Sequence, residues 1–157
     1  MAESARILVI DDDESIRKTI ATILDEKGYA VDTAENGKDA VAKAKAKFYN
    51  LALIDIRLPD IEGTKLLSEL EAVAPKMVKI IVTGYPALQN AVEAANKGAD
   101  AYLIKPVNID NLLTTIAQHL GKQRENDNYS ETKVAEFLET KIRELDKEKL
   151  TSNKKTR

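Results

Sequence analysis

Five short apolar runs alternate with longer stretches of helical periodicity, and no other feature of this chain limits its fold so strongly. Ile7 to Ile10, Tyr29 to Thr33, Leu51 to Asp55, Val78 to Thr83 and Ala101 to Ile104 read as strands. Strands apolar along their whole length are buried on both faces, as in a parallel sheet covered by its own crossover helices. The intervening stretches supply those helices. Ser15 to Lys27 carries Ile16, Ile20, Ile23 and Leu24 on one stripe, with Gly28 where a C-terminal cap belongs. After an Asn36-Gly37 turn, Lys38 to Lys47 is Ala-rich. Gly63 to Val73 aligns Leu66, Leu67 and Leu70, and Ala87 to Lys97 is a run of small residues closed by Gly98. Asn108 to Leu120 repeats Ile109, Leu112, Leu113, Ile116, Ala117 and Leu120 at the helical period, and Gly121 is expected to end it.

This succession predicts an α/β fold, a doubly wound five-stranded parallel sheet in the flavodoxin-like order 2-1-3-4-5, with its switch point between strands one and three. The expected domain is residues 1–121. A polar linker is expected over 122–130, an amphipathic charged helix over 131–150 capped by Ser130, and a disordered tail over 151–157. Val134, Phe137, Leu138, Ile142 and Leu145 form the stripe of that second helix. Composition narrows the setting. Cysteine is absent, which excludes disulfides and thiolate metal sites. The polar start MAESAR does not read as a signal peptide, and no apolar run reaches membrane-spanning length. The expected location is cytoplasmic, with no membrane partner.

The chemistry gathers at the ends of the strands. Strand one runs into Asp11, Asp12 and Asp13, strand three ends in Asp55, strand four in Thr83, and strand five in Lys105 followed by Pro106. In the order 2-1-3-4-5 these ends share one edge, where open α/β sheets bind ligands. Clustered carboxylates repel one another, and a hard divalent cation such as Mg²⁺ resolves the conflict with oxygen ligands. A metal, a lysine and a carboxylate on the central strand describe phosphoryl transfer with Asp55 as nucleophile. Taken singly, each residue has an ordinary role: turn, cap or solvated charge. Their conjunction, each at a strand end, is what points to chemistry.

ILVIDDDES, LALIDIRLPDIEG, KIIVTGYP and GADAYLIKP together resemble the receiver domain of two-component response regulators, over about residues 5–121. The resemblance implies that Asp55 accepts a phosphoryl group from a sensor histidine kinase or phosphotransfer protein. It implies Mg²⁺ held by Asp11, Asp12, Asp55 and the backbone carbonyl of Arg57. Lys105 would pair with the phosphoryl oxygens beside a cis Lys105–Pro106 bond. Thr83 would swing onto the phosphoryl group, and Tyr102 would turn inward with it. Gly84 leaves room beside Thr83. Asp13 matches no required role and is expected to be a loop or cap residue. Such a chain is a signalling switch, an enzyme only towards its own phosphorylation and dephosphorylation.

Two rival readings have distinct requirements. A haloacid-dehalogenase-like phosphatase would use Asp11 as nucleophile and Asp13 as acid, with Thr83 and Lys105 as further motifs. It also needs an acidic pair after the lysine, where PVNIDNLL offers one acid. A DNA-contacting regulator would use the basic end, Lys154, Lys155 and Arg157. Residues 122–157 interleave 10 basic with 8 acidic residues, so protein contact or self-association is favoured there over nucleic acid. His119, the single histidine, is expected at a surface or boundary position, and the Arg57 side chain is expected to tune acyl-phosphate hydrolysis.

Overall fold

The apolar runs assemble into a sheet whose two faces bury alternate residues. In the computed structural model, which describes residues 4–84 and 88–155, the strands are β1 (Arg6–Ile10), β2 (Ala30–Ala34), β3 (Leu51–Ile54), β4 (Val78–Thr83) and β5 (Ala101–Ile104). They pair in parallel in the order β2-β1-β3-β4-β5, the expected topology. The helices are α1 (Glu14–Glu26), α2 (Gly37–Ala46), α3 (Gly63–Val73), α4 (Leu88–Asn96) and α5 (Ile109–Lys155). Ala87, expected to open the fourth helix, lies outside the described residues.

The period-two alternation of each strand sorts the core into two layers. Leu8, Ile10, Ala52, Ile54 and Ile81 meet Ala40 and Ala44 of α2, Leu66, Leu67 and Leu70 of α3, and Ala94 of α4. Ile7, Val9, Leu51, Leu53, Val78, Ile80 and Val82 meet Ile20 and Leu24 of α1 and Leu112, Ile116 and Leu120 of α5. Small residues on α2 let that helix lie close to the sheet. Truncating a leucine of α3 to alanine would cost about 2–5 kcal/mol at such sites.

The helix ends correct two expectations. Asn36-Gly37 is not a free turn: Asn36 is the N-cap of α2, accepting from the Asp39 N–H at 2.7 Å, and Gly37 is the first helical residue. Glycine is needed there because a Cβ would strike the side chain of Ile61. Nor does Gly121 end a helix. Gly28 and Gly98 take positive φ (92° and 104°), as C-terminal glycines do, whereas α5 continues through Gly121 to Lys155. The expected linker 122–130 is therefore helical, the capping role of Ser130 is displaced, and the helix enters the expected tail, whose last residues 156–157 lie outside the described ones. A running helix needs no new nucleus, one internal glycine costs only about 1 kcal/mol, and Lys122, Gln123, Arg124 and Glu125 favour helix. By packing, the chain divides into residues 1–120 and 121–157.

At the β2 edge, Tyr49 is 3% exposed and its hydroxyl donates to Asp32 Oδ2 at 2.6 Å. Burial, then the bond to Asp32, pushes the Tyr49 hydroxyl well above the usual tyrosine range. The same bond, against the cost of burial, holds the Asp32 carboxyl below its ordinary value. A raised tyrosine stabilises the fold below its unfolded pKa of 10.0 and loses that stability as pH climbs beyond it. A lowered aspartate stabilises above its unfolded pKa of 3.8 and loses that as pH falls. Because Asp32 is partly exposed, Tyr49→Phe should cost only about 1 kcal/mol near neutral pH. The difference from the parent in urea melts should shrink below about pH 4 and above about pH 10. A difference independent of pH would remove the pair from the account.

Candidate functional site

Parallel strands end together, and here four of those ends carry polar groups. Asp11 follows β1 and Asp55 follows β3, neighbours at the switch point of the sheet. Both are buried, at 4% and 7% exposure, while Asp12 is exposed. The three carboxylates can place one oxygen each within 4.8 Å of one another. Lys105, after β5, reaches across: its Nζ donates to Asp11 Oδ2 at 2.7 Å and to Asp55 Oδ2 at 3.2 Å. Thr83, at the end of β4, is fully buried, and its carbonyl accepts from the Lys105 N–H at 2.8 Å. The Lys105–Pro106 bond is cis.

The electrostatics follow from this packing. Burial pushes the Asp55 carboxyl above the usual aspartate range. The Lys105 ammonium opposes that push and the Asp11 charge adds to it. Burial pulls the Lys105 ammonium down, but its hydrogen bond to Asp11 and the charges of Asp11 and Asp55 outweigh this and leave its pKa raised. Three carboxylates and one ammonium leave the cluster with two formal negative charges. An oxygen-only donor set of that charge suits a hard divalent cation.

Backbone bonds hold the carboxylates in place. Asp11 Oδ1 accepts from the Asp13 N–H at 2.9 Å, and Asp55 Oδ1 from the Arg57 N–H at 3.2 Å. Asp13 caps α1, accepting from the Ile16 N–H at 3.1 Å, so its expected cap role is met. Tyr102 packs against the core layer of α2, α3 and α4, with its hydroxyl buried. Among the described residues a Cβ on Gly84 would meet only Lys105 Cβ, at 3.9 Å, which leaves room beside Thr83. The Arg57 side chain is exposed, and His119 is partly buried on α5.

Three residues that support the site, and one that anchors the far end of β4, do not announce those roles in the sequence. Arg17 of α1 donates from Nη1 to the Asp11 carbonyl at 2.8 Å, tying the first helix to the acid-bearing turn. Asp60, which reads as part of a turn, accepts from the Gly37 and Lys38 N–H groups at 2.9 Å each. Those two bonds hold its carboxyl below the ordinary range and clamp the β3–α3 loop onto the start of α2. Lys79 anchors the opposite end of β4. Gly63 closes the β3–α3 loop, its N–H donating to the Ile56 carbonyl at 2.6 Å. A Cβ on Gly63 would lie 2.5 Å from Ile56 Cα and 2.8 Å from the Asp55 carbonyl oxygen. Those are backbone atoms, so Gly63→Ala should destabilise the fold by about 2 kcal/mol. It should also displace Asp55 and slow whatever chemistry Asp55 performs. An unchanged denaturation midpoint would show that the loop relaxes freely.

Comparison with known proteins points one way. Residues 7–117 match the response regulator receiver domain. Over 136 residues the chain is 37% identical to the transcriptional regulatory protein ZraR of Klebsiella oxytoca, covering 86% of this chain and 31% of that protein. It is 35% identical over 118 residues to the alginate biosynthesis transcriptional regulatory protein AlgB of Pseudomonas aeruginosa, covering 75% and 26%. The chain thus spans about a third or less of the curated relatives it matches. Among solved structures, a CheY-like response regulator receiver domain protein from Methanospirillum hungatei superposes with a TM-score of 0.77 at 46% identity, over 78% of this chain and 98% of that one. A response regulator from Burkholderia pseudomallei with a phosphorylated aspartic acid, a calcium ion and citrate superposes at 0.70 with 31% identity, over 79% and 73%.

Proposed function

The chain belongs to the response regulator receiver domain family, and from that premise we propose that Asp55 is the residue on which this signalling switch is phosphorylated. The observation that carries the reading is the position of Lys105 Nζ, within 3.2 Å of carboxylate oxygens from both Asp11 and Asp55. A phosphoryl group on Asp55 would find that ammonium beside it.

Asp11, Asp12 and Asp55, with the Arg57 backbone carbonyl, would hold Mg²⁺, and the grouping of the three carboxylates fits that ion. When bound, Mg²⁺ neutralises charge on the phosphoryl oxygens. The chain's own residues do the rest. An Asp55 carboxylate oxygen attacks the phosphorus of a phosphohistidine on a sensor kinase or phosphotransfer protein. The P–N bond breaks as the new P–O bond forms, and the imidazole leaves with its electron pair. Lys105 donates to the phosphoryl oxygens. The Thr83 hydroxyl turns towards them from the end of β4, Tyr102 repacks with it, and Gly84 leaves the space for this motion. The exposed Arg57 side chain is placed to influence hydrolysis of the acyl phosphate. Phosphorylation adds about −1.5 to −2 charges at one point, enough to bias such a two-state element.

Asp11 is the poorer nucleophile of the two, since its oxygens are held more tightly, accepting at 2.9 and 2.7 Å where those of Asp55 accept at 3.2 Å each. The setting we propose is cytoplasmic; among the described residues no helix is long and apolar enough to cross a membrane. The downstream target is a protein surface, or a nucleic acid reached through a partner or a further domain. The names of the relatives concern transcription, so the expectation against nucleic acid gains no support from them. Acetyl phosphate with Mg²⁺ should raise the mass of the chain by one phosphoryl group. Chelation by EDTA should slow that labelling by at least about tenfold. Labelling indifferent to EDTA would remove the metal from the mechanism.

A further inference from the structure

The stretch from Asp55 to α3 is a closed tab. At its base the Gly63 N–H donates to the Ile56 carbonyl, and Arg57 pairs with Glu62 in an antiparallel bridge. Its tip lies on the start of α2. There Asp60 Oδ1 accepts from the Gly37 N–H and Oδ2 from the Lys38 N–H, each at 2.9 Å. The Asn36 side chain, the cap that α2 carries itself, serves the Asp39 N–H. The two N–H groups before it are thus filled from another element, by a charged acceptor of the kind a helix N-terminus favours.

These bonds belong to a circuit around the carboxylates. The Asp55 N–H donates to the Ile10 carbonyl at 3.0 Å, and the Asp11 N–H to the Ala34 carbonyl at 3.1 Å. Ala34 ends β2, and Gly37 opens α2 just after it. Asp60 carries the circuit from α2 back to the tab, where the Arg57 N–H donates to Asp55 Oδ1 at 3.2 Å. The Arg57 carbonyl therefore rides on the member that Asp60 fastens. Without Asp60 the tip is left to the packing of Leu58 and Ile61 against the core.

We propose that Asp60 is a positioning residue for the divalent cation: by tying the tab to α2 it sets the Arg57 carbonyl against the acids that follow β1. This assignment rests on the reading in which Asp11, Asp12, Asp55 and that carbonyl hold Mg²⁺. Asp60 acts through the tab, its two oxygens being turned to α2.

Calorimetric titration of the full-length chain with Mg²⁺ tests it. Asp60→Ala should weaken Mg²⁺ binding about tenfold, the low end of what losing a ligand's supporting partner costs. Labelling by acetyl phosphate should slow at limiting Mg²⁺ and return to within about twofold of the parent at saturating Mg²⁺, since Asp55 and Lys105 are untouched. Asp60→Asn keeps one acceptor and should fall between the two. Asn36→Ala weakens the same helix end without cutting the tether, and its Mg²⁺ affinity should match the parent's. Parent-like Mg²⁺ affinity in Asp60→Ala would overturn the assignment. So would equal losses in Asp60→Asn and Asp60→Ala, which would make charge the cause, or a loss in Asn36→Ala as large as in Asp60→Ala, which would make it a general loosening of α2. A parent that binds no Mg²⁺ would bring down the metal reading itself, and the role of Asp60 with it.

Discussion

Asp55→Asn is expected to abolish the one-phosphoryl mass increase with acetyl phosphate and Mg²⁺. The amide removes the nucleophilic oxygen and leaves the surroundings nearly isosteric. The fold should survive, and the reason is quantitative. Asp55 is 7% exposed, and burial already penalises its charge. Asparagine relieves that penalty and the repulsion from Asp11. Lys105 loses one partner but keeps Asp11 at 2.7 Å. The opposing effects should leave stability within about 1 kcal/mol of the parent, so loss of labelling reads as chemistry. Asp11→Asn should slow labelling without moving it, because Asp11 is proposed as a metal ligand. Labelling of Asp55→Asn at the parent rate, or loss only in Asp11→Asn, would sink the assignment and revive the phosphatase reading.

Lys79→Met is expected to cost about 3 kcal/mol in stability, read as a fall of about 10 °C in Tm for a unit of this size. Lys79 is fully buried within β4. Its ammonium donates to the carbonyls of Ala74 at 2.9 Å and Met77 at 2.8 Å, and pairs with Glu71 at 2.9 Å. Ala74 is the C-cap of α3, so one side chain ties the end of that helix to the sheet. Methionine matches the volume and removes the burial cost of the charge, which argues for a small effect. The lost bonds to the two carbonyls argue the other way and should win, because methionine donates no hydrogen bond and the Ala74 carbonyl is left with the longer bond from the Met77 N–H at 3.2 Å. Glu71 is partly exposed and can return to water, which keeps the loss below that of a fully buried pair. Labelling at Asp55 should persist in the folded fraction, since Lys79 sits at the far end of β4 from Thr83. A Tm within about 2 °C of the parent would show that the carbonyls find other donors.

Both residues bear on how far the chain could be read without its fold. Asp55 was legible because four polar residues each follow an apolar run, and the alternation that names the strands also predicts their order. Lys79 was not. A lysine one residue into VKIIVT looks like a strand edge in solvent, and only the packing of α3 shows its ammonium enclosed. Gly63 was legible as the start of a helix but not as the residue that lets Ile56 approach. Gly121 misled for the opposite reason. A glycine after an apolar stripe resembles a cap, yet a cap requires the chain to turn, and the residues that follow favour helix.

The division has one physical origin. Strand and helix periods, the residues facing the core and the ends of most elements depend on neighbours within a few positions and on water, so the sequence by itself determined them. Lys105 and Asp11 stand 94 positions apart, and their 2.7 Å contact exists only because parallel crossovers return every strand to the same edge. The tertiary structure alone decided which charges share that edge, which are buried, and how far burial and Lys105 pull on the carboxyl of Asp55.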